Sequence, residues 1–136
     1  YAEQTVGGTQ VEAMPEVLLQ LANKLVTEGI IQPSQRPNTA VVSCYEEGEC
    51  LPPHVDSKDF TRPICTLSLL SSADMCFGDK AGRIDVNPAG GMDGFPVTLP
   101  RRSVVVLQDG VCSNDVQHGV GPVKGRWISV TLRKHQ

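Results

Sequence analysis

Between residues 14 and 28, apolar side chains fall at Val17, Leu18, Leu21, Leu25 and Val26 with polar ones between them. This is the three-to-four spacing of one helical face. Pro15 suits the first turn, where its missing N–H gives up no bond, and Gly29 suits the stop. After Pro33 and Pro37 the period shortens. Residues 39–45, 64–70, 75–77, 83–86, 95–99, 103–107 and 127–132 read as seven short strands, mostly of β-branched and apolar residues. Gly, Pro, Asp and Asn punctuate the gaps, most densely in Asn87-Pro88-Ala89-Gly90-Gly91 and Asp109-Gly110. Residues 1–13, polar and glycine-containing, read as a loop or a frayed start. The pattern predicts one domain over residues 1–136, mainly β with one or two flanking helices: a sandwich, jelly roll or barrel with a helix packed outside.

Composition narrows the class. A chain of 136 residues with 40% hydrophobic and 20% charged residues is long enough to bury a core without staples and is ordinary for a globular protein. No apolar run approaches the roughly 18 residues of a membrane span, and no signal peptide opens the chain. The five cysteines (Cys44, Cys50, Cys65, Cys76 and Cys112) are scattered, odd in number and without a Cys-x-x-Cys pair. They read as free thiols, which makes cytosol or nucleus the expected compartment. A net charge of −3 and a pI near 5.5 give no global footprint of a nucleic-acid binder. A local cluster, Lys124, Arg126, Arg133 and Lys134, could still hold a strand; it could equally be a solvated strand end.

The candidate chemistry starts at Pro52-Pro53-His54-Val55-Asp56. On an extended segment, side chains two apart share a face, so His54 and Asp56 point the same way. Such a pair arises by chance in many chains, and on its own it reads most simply as a surface His near an Asp. A third ligand changes that. Of the three histidines, His135 is next to last, while His118 stands 64 residues after His54 and just ahead of the last strand. Two His and one carboxylate on one face leave the opposite positions of a metal open, the ligand set of non-haem Fe(II) oxygenases.

The order of motifs then becomes specific. His-x-Asp is followed by Arg-Pro-Ile-x-x-x-Ser-Leu (Arg62 to Leu69), Cys-Phe-Gly (Cys76 to Gly78), His-Gly-Val (His118 to Val120) and Ile-Ser-Val-Thr-Leu-Arg-Lys (Ile128 to Lys134). This resembles the AlkB family of Fe(II)- and 2-oxoglutarate-dependent dioxygenases. Within it, the helix, the Asn-x-Ala-Val strand (Asn38 to Val41) and the Tyr-x-x-Gly-x-Cys turn (Tyr45 to Cys50) are similar to the eukaryotic branch that demethylates N6-methyladenosine in RNA. The likeness covers roughly residues 14–135.

The resemblance implies a double-stranded β-helix core, the cupin-like jelly roll, with Fe(II) and 2-oxoglutarate as cofactors and O2 as co-substrate. It implies that His54, Asp56 and His118 are the catalytic iron ligands. Tyr45 matches a tyrosine that reaches the distal carboxylate of 2-oxoglutarate. Ser43 stands where the branch has an Asn on the cofactor, and being shorter would touch it through water if at all. Arg133 matches the terminal arginine that lies against the iron triad and the cofactor. The implied reaction removes an N-methyl group through a hemiaminal that releases formaldehyde, on a methylated adenine in single-stranded RNA, with DNA as an alternative. No membrane contact is expected, and the chain is expected to be a nuclear or cytoplasmic monomer. Alkylated-DNA repair or protein hydroxylation on the same barrel, or a non-catalytic cupin-like binding module, are the competing readings.

Two departures qualify the likeness. The family's two arginines stand six apart on one strand face, but here Trp127 lies six before Arg133 and Arg126 lies seven before it. Strict alternation aims Arg126 away from Arg133. Either a β-bulge between Arg126 and Ile128 turns Arg126 inward, the favoured expectation, or the carboxylate clamp is remodelled around Arg133 and Tyr45. The second departure is at the start: a chain beginning at Tyr1 is expected to lack most of the family's N-terminal nucleotide-recognition lid.

Overall fold

The computed structural model describes residues 3–6, 9–109 and 115–136. Among them the elements run β1 (Glu3–Val6), β2 (Thr9–Glu12), α1 (Glu16–Thr27), β3 (Thr39–Tyr45), β4 (Leu51–His54), β5 (Phe60–Leu69) and β6 (Ala73–Phe77). Then come β7 (Asp85–Val86), β8 (Met92–Asp93), β9 (Phe95–Leu99), β10 (Val104–Leu107), β11 (His118–Val120) and β12 (Trp127–His135). Two four-stranded antiparallel sheets, ordered β10-β5-β12-β3 and β4-β11-β6-β9, form the body of the fold. From β3 to β6 and again from β10 to β12 the chain passes from one sheet to the other at each successive strand. That alternation makes the jelly roll expected from the sequence. No helix among the described residues is long and apolar enough to cross a membrane.

Two apolar layers hold it together. On α1, Leu18, Leu21, Ala22, Leu25 and Val26 turn inward at spacings of three and four, whereas Val17 is 68% exposed and takes no part. They cover the outer face of the first sheet, against Cys65, Val130 and Leu132. Pro15 caps the helix rather than lying within it, and Gly29 ends it at a φ of 72°, a conformation that glycine takes without strain. Between the sheets lies a second layer of Met75, Phe77, Leu99, Leu107, Val120 and Trp127. Strand alternation therefore sends Ile128, Val130 and Leu132 toward the helix and Trp127, Ser129 and Thr131 toward the interior.

All seven expected strands occur, five of them with shifted ends. The segment expected at 83–86 narrows to Asp85–Val86, and the last strand runs on to His135. The opening residues correct the loop reading: β1 and β2 pair antiparallel, with Val6 opposite Thr9. The Gly7-Gly8 pair between them in sequence is a hairpin signal that outweighs the segment's polarity. Four of the five cysteines are free, as expected; Cys112 lies outside the described residues. Burial pushes the Cys65 thiol up to about 11, so it packs as a small apolar group.

Candidate metal centre

β4 and β11 are adjacent in the second sheet and pair so that His54 lies directly opposite His118. A cross-strand pair brings two side chains together whatever their separation in sequence, and this closes the 64-residue gap. The ring centroids are 4.4 Å apart. Asp56, two residues after His54 and just past the end of β4, supplies the third group. Its carboxylate oxygens lie 3.6 Å from His54 Nε2 and 3.4 Å from His118 Nε2. One ligand atom from each residue falls within 4.8 Å of the others, a span that one ion at bonds of about 2 Å can bridge. Imidazole, imidazole and carboxylate suit Fe(II), and three protein ligands leave room for a bidentate co-substrate and O2. The expected triad is therefore brought together.

Backbone contacts fix its orientation. His54 Nδ1 is 3.0 Å from the Pro52 carbonyl, which can only accept, so Nδ1 carries the proton and Nε2 is left bare to face the metal point. Arg62 holds the Asp56 end: its guanidinium donates to the Asp56 carbonyl at 3.1 Å, the Phe60 carbonyl at 2.7 Å and the Ser57 carbonyl at 3.1 Å. Arg62 stood within a quoted motif, yet nothing in the sequence shows that its side chain folds back on the loop after His-x-Asp. Gly119 lets β11 sit close to β4, since a Cβ there would lie 2.9 Å from the Leu51 carbonyl and 3.0 Å from Met92 Sδ.

The two imidazoles titrate in opposite directions without a metal. The neighbouring Asp56 carboxylate raises His54 above its ordinary value near 6.5, against the opposing effect of burial. Burial lowers His118, with Asp56 opposing it. Burial thus favours the neutral, metal-binding form of His118.

A narrow cavity of about 50 Å³ opens beside the triad, walled on the first sheet by Ile64, Thr66, Trp127, Ser129 and Thr131. The remaining candidates divide around it. Ser43, Tyr45 and Arg133 occupy the inward face of the first sheet, opposite Ser129, Trp127 and Thr39. Tyr45 packs on Trp127 with ring centroids 5.0 Å apart. Arg133 stacks over Phe60 at 3.9 Å and feels the charge of Asp56, which places it at the metal end.

Arg126 is where the favoured expectation fails. β12 pairs with β3 in unbroken register from Trp127 to Arg133, so there is no bulge at 126–128; the irregularity against β5 falls between Leu132 and Lys134. Arg126 points to solvent and pairs with Glu46 at 3.1 Å. Burial decides it: the inward position goes to Trp127, fully buried, because an indole gains several kcal/mol on leaving water whereas an unpaired guanidinium loses more. The basic cluster read from the sequence is dispersed as well, with Lys134 bonded to the Ser34 carbonyl, Arg126 held by Glu46 and Arg133 turned inward.

The profile of the 2OG-Fe(II) oxygenase superfamily matches residues 1–133. Among curated relatives, the chain is 36% identical over 126 residues to the RNA demethylase ALKBH9B of Arabidopsis thaliana, covering 92% of this chain and 24% of that protein. It is 31% identical over 127 residues to the RNA demethylase ALKBH5 of Bos taurus, covering 91% of this chain and 32% of that protein. The chain thus spans between a quarter and a third of the length of these relatives. Among solved structures it shares the fold of OsALKBH1, with a TM-score of 0.60 at 19% identity over 94% of this chain and 69% of that one.

Proposed function

This chain belongs to the 2OG-Fe(II) oxygenase superfamily, and from that premise we propose that it is an oxidative RNA demethylase acting on N6-methyladenosine in single strands. The observation that carries the reading is the open His54–Asp56–His118 triad on a jelly roll, in a chain similar to RNA demethylases over nine-tenths of its length. The superfamily's cofactors are Fe(II) and 2-oxoglutarate, and the donor set suits the metal. When bound, they supply with O2 the oxidation that turns an N-methyl group into a hemiaminal, which breaks down to the free amine and formaldehyde.

The residues of the chain do the rest. His54 Nε2, His118 Nε2 and an Asp56 oxygen would hold the metal. The Pro52 carbonyl fixes the His54 tautomer, and Arg62 anchors the loop carrying Asp56. Arg133, set near Asp56, balances charge at the metal end. A methylated base has to reach this site unstacked, which favours a single-stranded substrate. The triad is complete within one chain, supporting action as a monomer and a single catalytic domain over residues 1–136. Free cysteines support a nuclear or cytoplasmic site of action.

The test is mass spectrometry of a single-stranded RNA carrying one N6-methyladenosine, incubated with protein, Fe(II), 2-oxoglutarate and air. Conversion to adenosine with stoichiometric formaldehyde is the expected result. Turnover of N-methylated DNA bases with the RNA untouched would instead identify a DNA-repair enzyme.

A further inference from the structure

The inward face of the first sheet carries three buried polar atoms without partners among the described residues, Arg133 Nε at the metal end and two others farther along it. Trp127 is 0% exposed, lines the cavity, and its indole Nε1–H meets no acceptor among the described residues. Ser68 is 1% exposed, and its hydroxyl is likewise unpartnered. Leaving such a group unmet costs about 1–3 kcal/mol, so an orphan inside a native fold points to a missing partner. The two are neighbours on one surface. Ser43 on β3, Ser129 on β12 and Ser68 on β5 lie opposite one another in a single cross-strand row. Tyr45 and Trp127 form the row two residues along on one side, and Thr131 and Thr66, 3.3 Å apart through their hydroxyls, the row on the other.

Away from Arg133, this face offers donors and no charge. No Lys or Arg lines the cavity among the described residues. Arg126 is paired with Glu46 outside, and Arg133 lies six residues along β12 from Trp127, against Phe60 and Asp56. Six strand residues span about 20 Å, too far for both to serve one carboxylate.

We propose that Trp127 is the specificity-determining residue for the 2-oxo acid, its indole N–H and the serine row receiving the far end of that molecule through neutral hydrogen bonds instead of a cationic clamp. The inference rests on the cofactor assignment above. A neutral donor binds a carboxylate by a charge-assisted bond, but it also accepts an uncharged carbonyl oxygen, so the pocket reads an acceptor and not a charge. Trp127 lines the same cavity as His54, Asp56 and His118, so the indole borders the space into which a 2-oxo acid on the metal would extend.

Trp127 is the only tryptophan in the chain, so its emission reports this contact directly. The experiment titrates anaerobic, Fe(II)-loaded protein with 2-oxoglutarate and with its 5-methyl ester, whose tail is uncharged but keeps a carbonyl acceptor. Trp127 emission and the visible absorption of the metal–2-oxo acid complex are followed together. Expected are dissociation constants within ten-fold of each other, with the emission changing in step with the absorption. In Trp127→Phe, followed by absorption alone, both acids should bind at least ten-fold more weakly. A preference for the dicarboxylate above ten-fold would overturn the proposal by revealing a cation at the tail. So would absorption appearing without change in emission, or binding untouched in the variant. The two-ligand comparison on the unaltered protein decides the matter even if the variant fails to fold. Failure to demethylate RNA leaves these binding results unmoved, whereas absence of any absorption with either acid would overturn both the cofactor assignment and this proposal.

Discussion

The two sheets that enclose the pocket are built to different standards. The β10-β5-β12-β3 sheet pairs β12 with β3 over seven consecutive residues and has its outer face sealed by α1. In the β4-β11-β6-β9 sheet no strand exceeds five residues, β4 contains two prolines, and the β11–β4 register slips between His118 and Val120. Yet both histidines of the candidate metal centre stand on the second sheet. The regular sheet draws its stability from repeated rows of buried side chains. The irregular one draws its geometry from a few polar ties, the Pro52 carbonyl on His54 and the Arg62 guanidinium on the Asp56 loop. Short strands, bulges and loop ends can aim side chains at a common point, which regular alternation cannot do.

Substitutions on each side should break this contrast differently. Asp56→Ala removes a ligand that the core does not need: Fe(II) binding measured by dialysis should fall by a hundred-fold or more and turnover should vanish, with the circular dichroism unchanged. Loss of the folded spectrum would show the triad to be structural. Leu132→Ala, in the layer under α1, should do the reverse. Truncating a side chain only 1% exposed costs about 2–5 kcal/mol, visible as a lower denaturation midpoint, while the molecules that remain folded bind Fe(II) as before.

Arg62→Gln sharpens the comparison, because it touches neither metal nor core. Loosening the Asp56 loop should weaken Fe(II) by about ten-fold, the low end of what outer-shell partners of metal ligands contribute. An unchanged metal affinity would mean the loop is held by other contacts. The smallest effect belongs to Arg126→Ala. Its exposed pair with Glu46 should contribute nothing measurable to stability, and 2-oxoglutarate affinity should stay within two-fold. A ten-fold loss of that affinity would return Arg126 to the cofactor and undo the outward orientation.

Much of the regular half was legible in advance. β3 falls on its expected bounds, and the helix differs by a residue or two at each end, because alternation and helical period are local properties that burial on one side enforces. The irregular half was legible only in part: β9 falls on its expected bounds, but the strands that carry the histidines do not show. β4 reads as Leu-Pro-Pro-His and β11 is three residues long, so neither carries enough pattern to announce a strand.

By itself the sequence determined the ligand types, their order, the helix, the regular strands and the superfamily, all of which are written in residue identity and short-range spacing. Only the tertiary structure decided that His118 lies opposite His54, that Arg62 closes on the Asp56 loop, and that Trp127 rather than Arg126 faces the pocket. Those are questions of register and pairing between distant segments. They are settled by which side chains gain most from leaving water, a competition that a single strand read alone does not contain.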